Sequence, residues 1–344
     1  MRPTRLLVTL ITIAAANIMW LQSAFSQQAY RSWAPDILND GMEMHYVKHP
    51  NDYEGHVRST IVRKLCVNDT AKRGILYIHG FNDYFFNTEM ADEFVSHGYD
   101  FYAVDLRKYG RSIIKGQKKF NTRSLTEYFP DIDSALVTMK QSGLKEIAIM
   151  GHSTGGLIAA YYLAKKANPV KVNALILNSP FLDWNLGKIE WLVPAVAAVG
   201  YVFPGLPVPQ GKSTAYAQSL LKEYKGEWDY DTQWKLMESP TVSAGWVRAI
   251  NSAQDYLHDG EHPINIPILL MYSAKSITVD DWTPQCQGAD IVLDTKEIKK
   301  YGVRLGKHVT CVKVNGGLHD LLLSKQGLRI PLYNEIFTWL SENI

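Results

Sequence analysis

The chain has 344 residues, of which 46% are hydrophobic, 20% charged and 11% aromatic. That is enough apolar side chain for one large core, and it excludes a disordered chain, a collagen-like repeat and a small disulfide scaffold. The formal net charge is +2; setting aside Arg2 and Arg5, the sole charges before residue 27, leaves 34 basic against 34 acidic residues, so electrostatics give no reason for a nucleic-acid or anionic-membrane partner.

At the N-terminus, two basic residues precede the apolar run Leu6 to Leu21, and the small residues Ala24 and Ser26 stand just before Gln27. This pattern predicts a secretory signal peptide over residues 1–26, cut after Ser26, with the mature chain secreted or periplasmic. The run is short of the roughly 20 apolar residues of a spanning helix, so no stable membrane anchor is expected after cleavage. Met42–Lys48 and Val57–Cys66 alternate in polarity around Pro50-Asn51-Asp52 and predict an antiparallel hairpin, whose His45, His49 and His56 are expected to be exposed.

From Gly74 onward the rhythm changes. Short β-rich runs (Ile75–Ile78, Phe101–Val104, Ile147–Met150, Ala174–Leu177, Pro267–Met271, Val309–Val314) alternate with helical patterns (Glu89–Ser96, Leu125–Gln141, Gly155–Lys166, Lys296–Tyr301, Pro331–Leu340). Alternation of this kind builds a mostly parallel sheet with helices on both faces, the α/β class. Between Leu177 and Ile266 the alternation stops, and Asp183 to Ala249 holds five of the nine Trp. A stretch of that length predicts a helical cap over 182–250, inserted into a core formed by 27–181 and 251–344. His258 and His262 fall in predicted loop. Cys66, Cys286 and Cys311 show no metal-ligand spacing; Cys66 and Cys311 sit in strand-like runs and read as small buried hydrophobes, although an exported chain could pair two of the three.

The run Lys145–Met150 leads straight into Gly151-His152-Ser153-Thr154-Gly155-Gly156, and a helical pattern follows at once. A turn that tight strains the backbone at Ser153, leaves no room for side chains at 151 and 155, and holds the hydroxyl at a helix N-terminus that favours a developing anion.

With these residues the chain resembles the α/β-hydrolase family, specifically its monoglyceride lipase and lysophospholipase-like serine hydrolases. The likeness runs from about residue 40 to the end and rests on His79-Gly80-Phe81, Asp105 to Ser112, the Ser153 elbow and Gly316-Gly317-Leu318-His319-Asp320. It implies the α/β-hydrolase fold with Ser153 as nucleophile and His319 as general base and acid, the backbone amides of Phe81 and Thr154 as the oxyanion hole, and no metal or organic cofactor. His79 and His152 are expected to shape the loop and the elbow. Asp105–Ser112 is expected to be structural, with Lys108 and Tyr109 displacing the family's usual glycine.

The acid is less legible. The family pattern places it where this chain has Ser276, and the carboxylates Asp280, Asp281, Asp290 and Asp294 follow. Asp294 reads as a helix N-cap with Glu297 as its reciprocal partner, so Asp290 is the preferred acid, ahead of Asp294 and then of Asp280 or Asp281. Asp320 is expected to cap the segment that follows it.

The implied activity is hydrolysis of carboxylic esters such as monoacylglycerols or lysophospholipids; the apolar segment Trp191–Phe203 reads either as the wall for the acyl chain or as packing of the cap onto the core. Two other readings compete with it. An aminopeptidase of the proline iminopeptidase type would bind the substrate ammonium through acids such as Glu190, Glu223 or Glu227. A catalytically inactive binding protein could have kept the same fold. Nothing in the sequence sets the oligomeric state.

Overall fold

The structure, a computed structural model, describes residues 33–67, 72–165 and 169–344. The signal peptide expected over 1–26 lies outside the described residues. The hairpin forms as β2 (Glu43–Asp52) and β3 (Gly55–Lys64), with the short β1 (Ala34–Pro35) on its outer edge. The six β-rich runs form β4 (Arg73–Ile78), β5 (Tyr99–Asp105), β6 (Glu146–His152), β7 (Ala174–Asn178), β10 (Ile268–Ser273) and β11 (Val309–Val314). All nine strands join one sheet in the order β1-β2-β3-β5-β4-β6-β7-β10-β11, antiparallel as far as β5 and parallel from there to β11. A second, two-stranded sheet pairs β8 (Pro207–Val208) with β9 (Val242–Ser243).

The parallel strands are apolar on both faces because both are covered. Leu76, Ile78, Ile149 and Leu270 project into one core layer with α2 (Phe129–Gln141), α3 (Thr154–Lys165), α6 (Ala244–His258) and α7 (Thr295–Gly302). Ile75, Tyr77, Met150 and Met271 project into the other with α1 (Thr88–Ser96) and α8 (Gln326–Asn343). This is the architecture that the resemblance implied. Such a sheet leaves its crevice beyond the strand C-termini, and the loops after β4, β6, β10 and β11 meet there.

Several expectations need correction. α8 starts at Gln326, five residues ahead of its Pro331. α6 covers residues expected to be cap and loop, yet it is a 15-residue helix, N-capped by Ser243, and the boundary expected at 250 falls inside it. His258 is therefore helical; its Nε2 donates to Leu182 O at 2.7 Å and its ring stacks on Tyr301. His45 and His49 are not exposed: His45 is buried, and the His49 side chain reaches Ser59 Oγ at 2.8 Å and Asp131 Oδ1 at 3.1 Å. The register turns both inward, since β2 is covered on one face by α2. All three cysteines are free, and it is Cys286 that is buried, whereas Cys66 is half-buried and Cys311 exposed on the edge strand β11.

The cap contains α4 (Val193–Val202) and α5 (Ala215–Leu220). α4 packs on α6 through Gly200, where an added Cβ would stand 2.3 Å from Ala244 O. Its other side faces outward, with Trp191, Tyr201, Val202 and Phe203 all more than 60% exposed. Among the described residues no helix is long and apolar enough to cross a membrane.

Candidate active site

Ser153 sits at φ +52°, in the left-handed region that costs a non-glycine residue about 1–3 kcal/mol and persists only where the surroundings impose it. They do so through close approach. A Cβ at Gly155 would lie 2.3 Å from Ile78 O, and one at Gly151 would lie 2.5 Å from Gly155 O. The Ser153 N–H donates to Asn178 O at 3.0 Å, while the Ser153 carbonyl accepts from Gly156, Leu157 and Phe181. The elbow is thereby pinned to β7 and to the first turn of α3. Thr154 is the first residue of α3, so its amide belongs to the turn that has no intrahelical acceptor.

His319 is buried in the turn after β11, and its Nδ1 lies 2.8 Å from Asp290 Oδ2. Asp290 is fully buried, and its Oδ1 accepts from the amides of Val292 and Leu293 at 2.8 Å each. With Nδ1 donating to the carboxylate, Nε2 is the nitrogen left to accept a proton. Two backbone bonds explain how a lengthened loop supplies this carboxylate: Asp290 N donates to Lys275 O and Ile277 N donates to Asp290 O, at 2.9 and 3.0 Å. Asp290 thus lies beside Ser276, the position where the family pattern puts its acid. Asp294 caps α7 by accepting from Lys296 N, and Asp280 and Asp281 are exposed.

The other histidines near the site have different surroundings. His79 donates from Nδ1 to Gly80 O at 2.8 Å and accepts at Nε2 from Leu106 N at 3.1 Å, so both nitrogens hold the loop after β4 in place. His152 donates from Nδ1 to Asn178 O, and burial, reinforced by the neighbouring His319, holds its pKa well below the usual imidazole range. Asp320 accepts from Leu322 N as the cap of a short 3₁₀ turn and from Asn178 Nδ2 at 2.7 Å; burial pushes its carboxyl pKa up.

The loop Asp105–Ser112 is tied into the core rather than into the site. Arg107 forks onto Asp131, and Arg111 bridges Asp36 and Asp105. Lys108 adopts φ +68°, the conformation that explains a glycine in the family pattern, and its buried ammonium lies 2.7 Å from Asp52 in a contact of ionic rather than hydrogen-bond geometry.

Ser153, His319, Phe81 and Thr154 line one cavity of about 230 Å³. Its apolar wall comes from Phe181, Trp184, Leu236, Met237 and Trp246. The wall expected from Trp191–Phe203 is not there: Val193 and Ala197 are buried, whereas Trp191, Tyr201, Val202 and Phe203 point outward, and none of the segment lines the cavity. Among the described residues the cavity contains one acid, Asp83, and one lysine, Lys235, whose Nζ lies 2.9 Å from Asp83 Oδ1. Glu227 is engaged by Arg329, Glu190 faces the amide of Leu186, and Glu223 is exposed, so none of the three lines the cavity. Sequence reasoning missed Asp83 and Lys235; the one available signal was that Asp83 stands two residues beyond Phe81.

Together the strained serine, the imidazole–carboxylate pair and the crevice at the strand ends define an α/β-hydrolase. The family model for serine aminopeptidase, S33, matches residues 69–325. A monoacylglycerol lipase of Mycolicibacterium smegmatis is 24% identical over 289 residues, covering 83% of this chain and 94% of that protein. A protein named probable lysophospholipase L2, from Haemophilus influenzae, is 26% identical, with 70% of this chain and 75% of that protein covered. Among solved structures, a soluble variant of Saccharomyces cerevisiae monoglyceride lipase superposes with a TM-score of 0.60 at 15% identity, covering 91% of this chain and 94% of that one. The monoacylglycerol lipase of Paleococcus ferrophilus gives 0.59 at 17% identity, covering 88% and 100%. The chain belongs to the serine aminopeptidase S33 family of α/β-hydrolases.

Proposed function

We propose that this chain hydrolyses monoacyl esters, monoacylglycerols or lysophospholipids, through Ser153, His319 and Asp290. Ser153 Oγ attacks the acyl carbonyl while His319 Nε2 takes its proton, and Asp290 holds the imidazole tautomer and stabilises the imidazolium. The amides of Phe81 and Thr154 receive the oxyanion. His319 then returns the proton to the leaving alcohol, and water repeats the sequence to release the fatty acid. No metal or organic cofactor enters these steps.

The observation that carries this reading is the 2.8 Å contact between His319 Nδ1 and the buried Asp290 Oδ2, with His319 lining the same cavity as Ser153. An ester reading is favoured over an aminopeptidase because Asp83, the cavity acid, is already neutralised by Lys235 and offers no free carboxylate for an ammonium. A monoacyl p-nitrophenyl ester series assayed beside aminoacyl naphthylamides decides between the two: turnover of the esters alone is expected. A fluorophosphonate probe is expected to label wild-type protein at Ser153, and Ser153→Ala should abolish both labelling and turnover, a fall of about 10⁶ in kcat by analogy with other serine hydrolases. Folded wild-type protein that resists the probe would instead favour a binding protein on this fold.

The reading includes export, supported by the residues before Gln27, with the segment between β7 and α6 acting as the cap. A mature N-terminus at Gln27 in intact-mass spectra of the secreted fraction checks the cleavage.

A further inference from the structure

The turn that follows Phe81 is held by the cap, residue by residue. The Asn82 side chain donates from Nδ2 to Leu236 O at 2.9 Å and accepts at Oδ1 from Leu236 N at 2.8 Å, reading one cap residue through both of its backbone groups. Asp83 forms its buried ion pair with Lys235, and Tyr84 Oη accepts from Asp231 N at 2.8 Å. Three consecutive residues of the loop after β4 thus bind Asp231–Leu236, itself one tight turn closed by bonds from Trp234 N and Lys235 N to Asp231 O. Asn82 adopts φ +50° for this, the left-handed region, one residue after the Phe81 amide that the proposed mechanism uses. The Phe81 ring is also wedged, 4.8 Å from Trp246 and 5.5 Å from Phe120, centroid to centroid.

We infer that the cap turn Asp231–Leu236 is a latch that sets the Phe81 amide, with Asn82 as its main positioning residue and the Asp83–Lys235 pair fixing its register. A buried ion pair adds little net stability, but its loss leaves an uncompensated charge, so it serves to select one seating of the turn. The amide must sit within a few tenths of an ångström of where the oxyanion forms, and the bidentate clamp supplies that alignment. The inference rests on the esterase reading above.

The test is Asn82→Gly, which removes the clamp while permitting the same backbone φ. Wild type and variant are compared on p-nitrophenyl butyrate for kcat and KM, and against a matching trifluoromethyl ketone, which presents an oxyanion to the same site. Losing a whole oxyanion donor costs about 10²–10³ in rate, so misaligning one should lower kcat by about 10–10² with KM nearly unchanged. The ketone should weaken by the same factor as kcat/KM falls. Unchanged kcat, or a fall in kcat without weaker ketone binding, overturns the latch. If Asn82→Gly does not fold, Asn82→Asp, which keeps the acceptor for Leu236 N and loses only the donor to Leu236 O, carries the same test. A wild-type protein inert to every ester would instead overturn the esterase reading, so the two failures are distinguishable.

Discussion

The elbow around Ser153 and the loop from Ala274 to Asp294 supply two halves of one site by opposite means. The elbow is built from contacts at van der Waals limits: Gly151, Gly155 and Ile78 leave no free volume, and the strained φ at Ser153 follows from that crowding. The acid loop reaches its place by hydrogen bonds. Its bonds from Asp290 N to Lys275 O and from Ile277 N to Asp290 O, with two amides on the carboxylate, fold an extended excursion back onto the position of Ser276. Crowding fixes geometry and tolerates no added atom, whereas a hydrogen-bonded loop tolerates insertion as long as its ends still register.

The sharpest break of this contrast is chemical. Asp290→Asn keeps the shape of the loop and should lower kcat by about 10⁴, since an amide no longer fixes the imidazole tautomer. Adding Ser276→Asp to that variant puts a carboxylate on the neighbouring strand position and is expected to recover part of the loss in steady-state assays. No recovery would mean that the lengthened loop has moved the acid's reach as well as its origin. Next in size, Gly155→Ala should cost about 3 kcal/mol or more in denaturant unfolding, because its Cβ meets backbone carbonyls that cannot move aside. Asp294→Ala should cost about 1 kcal/mol through the lost N-cap of α7 while kcat stays at the wild-type value.

The smallest effect is on pH dependence. His49, His152 and His258 all have pKa values lowered by burial from the model-compound value of 6.5. The unfolded chain therefore binds more protons below that pH, and these groups withdraw stability as pH falls through about 6.5. Asp320, raised by burial, acts with the opposite sign above its unfolded value of 3.8, so it offsets part of the change. The unfolding midpoint should fall between pH 7 and pH 5, and His258→Asn should flatten that slope.

The six parallel strands, the elbow and His319 were legible because each is marked by neighbours in sequence: short β-rich apolar runs alternating with helical patterns, glycines two residues either side of a serine, a glycine-rich turn after the last strand. α6 escaped because its pattern runs unbroken out of the Trp-rich cap, and the buried state of His45 and His49 depends on which face of β2 meets α2. The outward turn of Trp191, Tyr201, Val202 and Phe203 was equally hidden, since an apolar segment states that it is hydrophobic but not what will cover it.

By itself, then, the sequence determined the sheet, the strained turn at Ser153 and the place of His319 after the last strand, because steric and periodic constraints act over a few residues. Only the tertiary structure decided which carboxylate faces His319, where the acyl cavity finds its apolar wall, and that Asn82 and Asp83 are tied to Leu236 and Lys235. Those pairings join residues 29 and more than 150 positions apart, and no local preference encodes a contact whose geometry is set by how a loop and a cap close over the finished sheet.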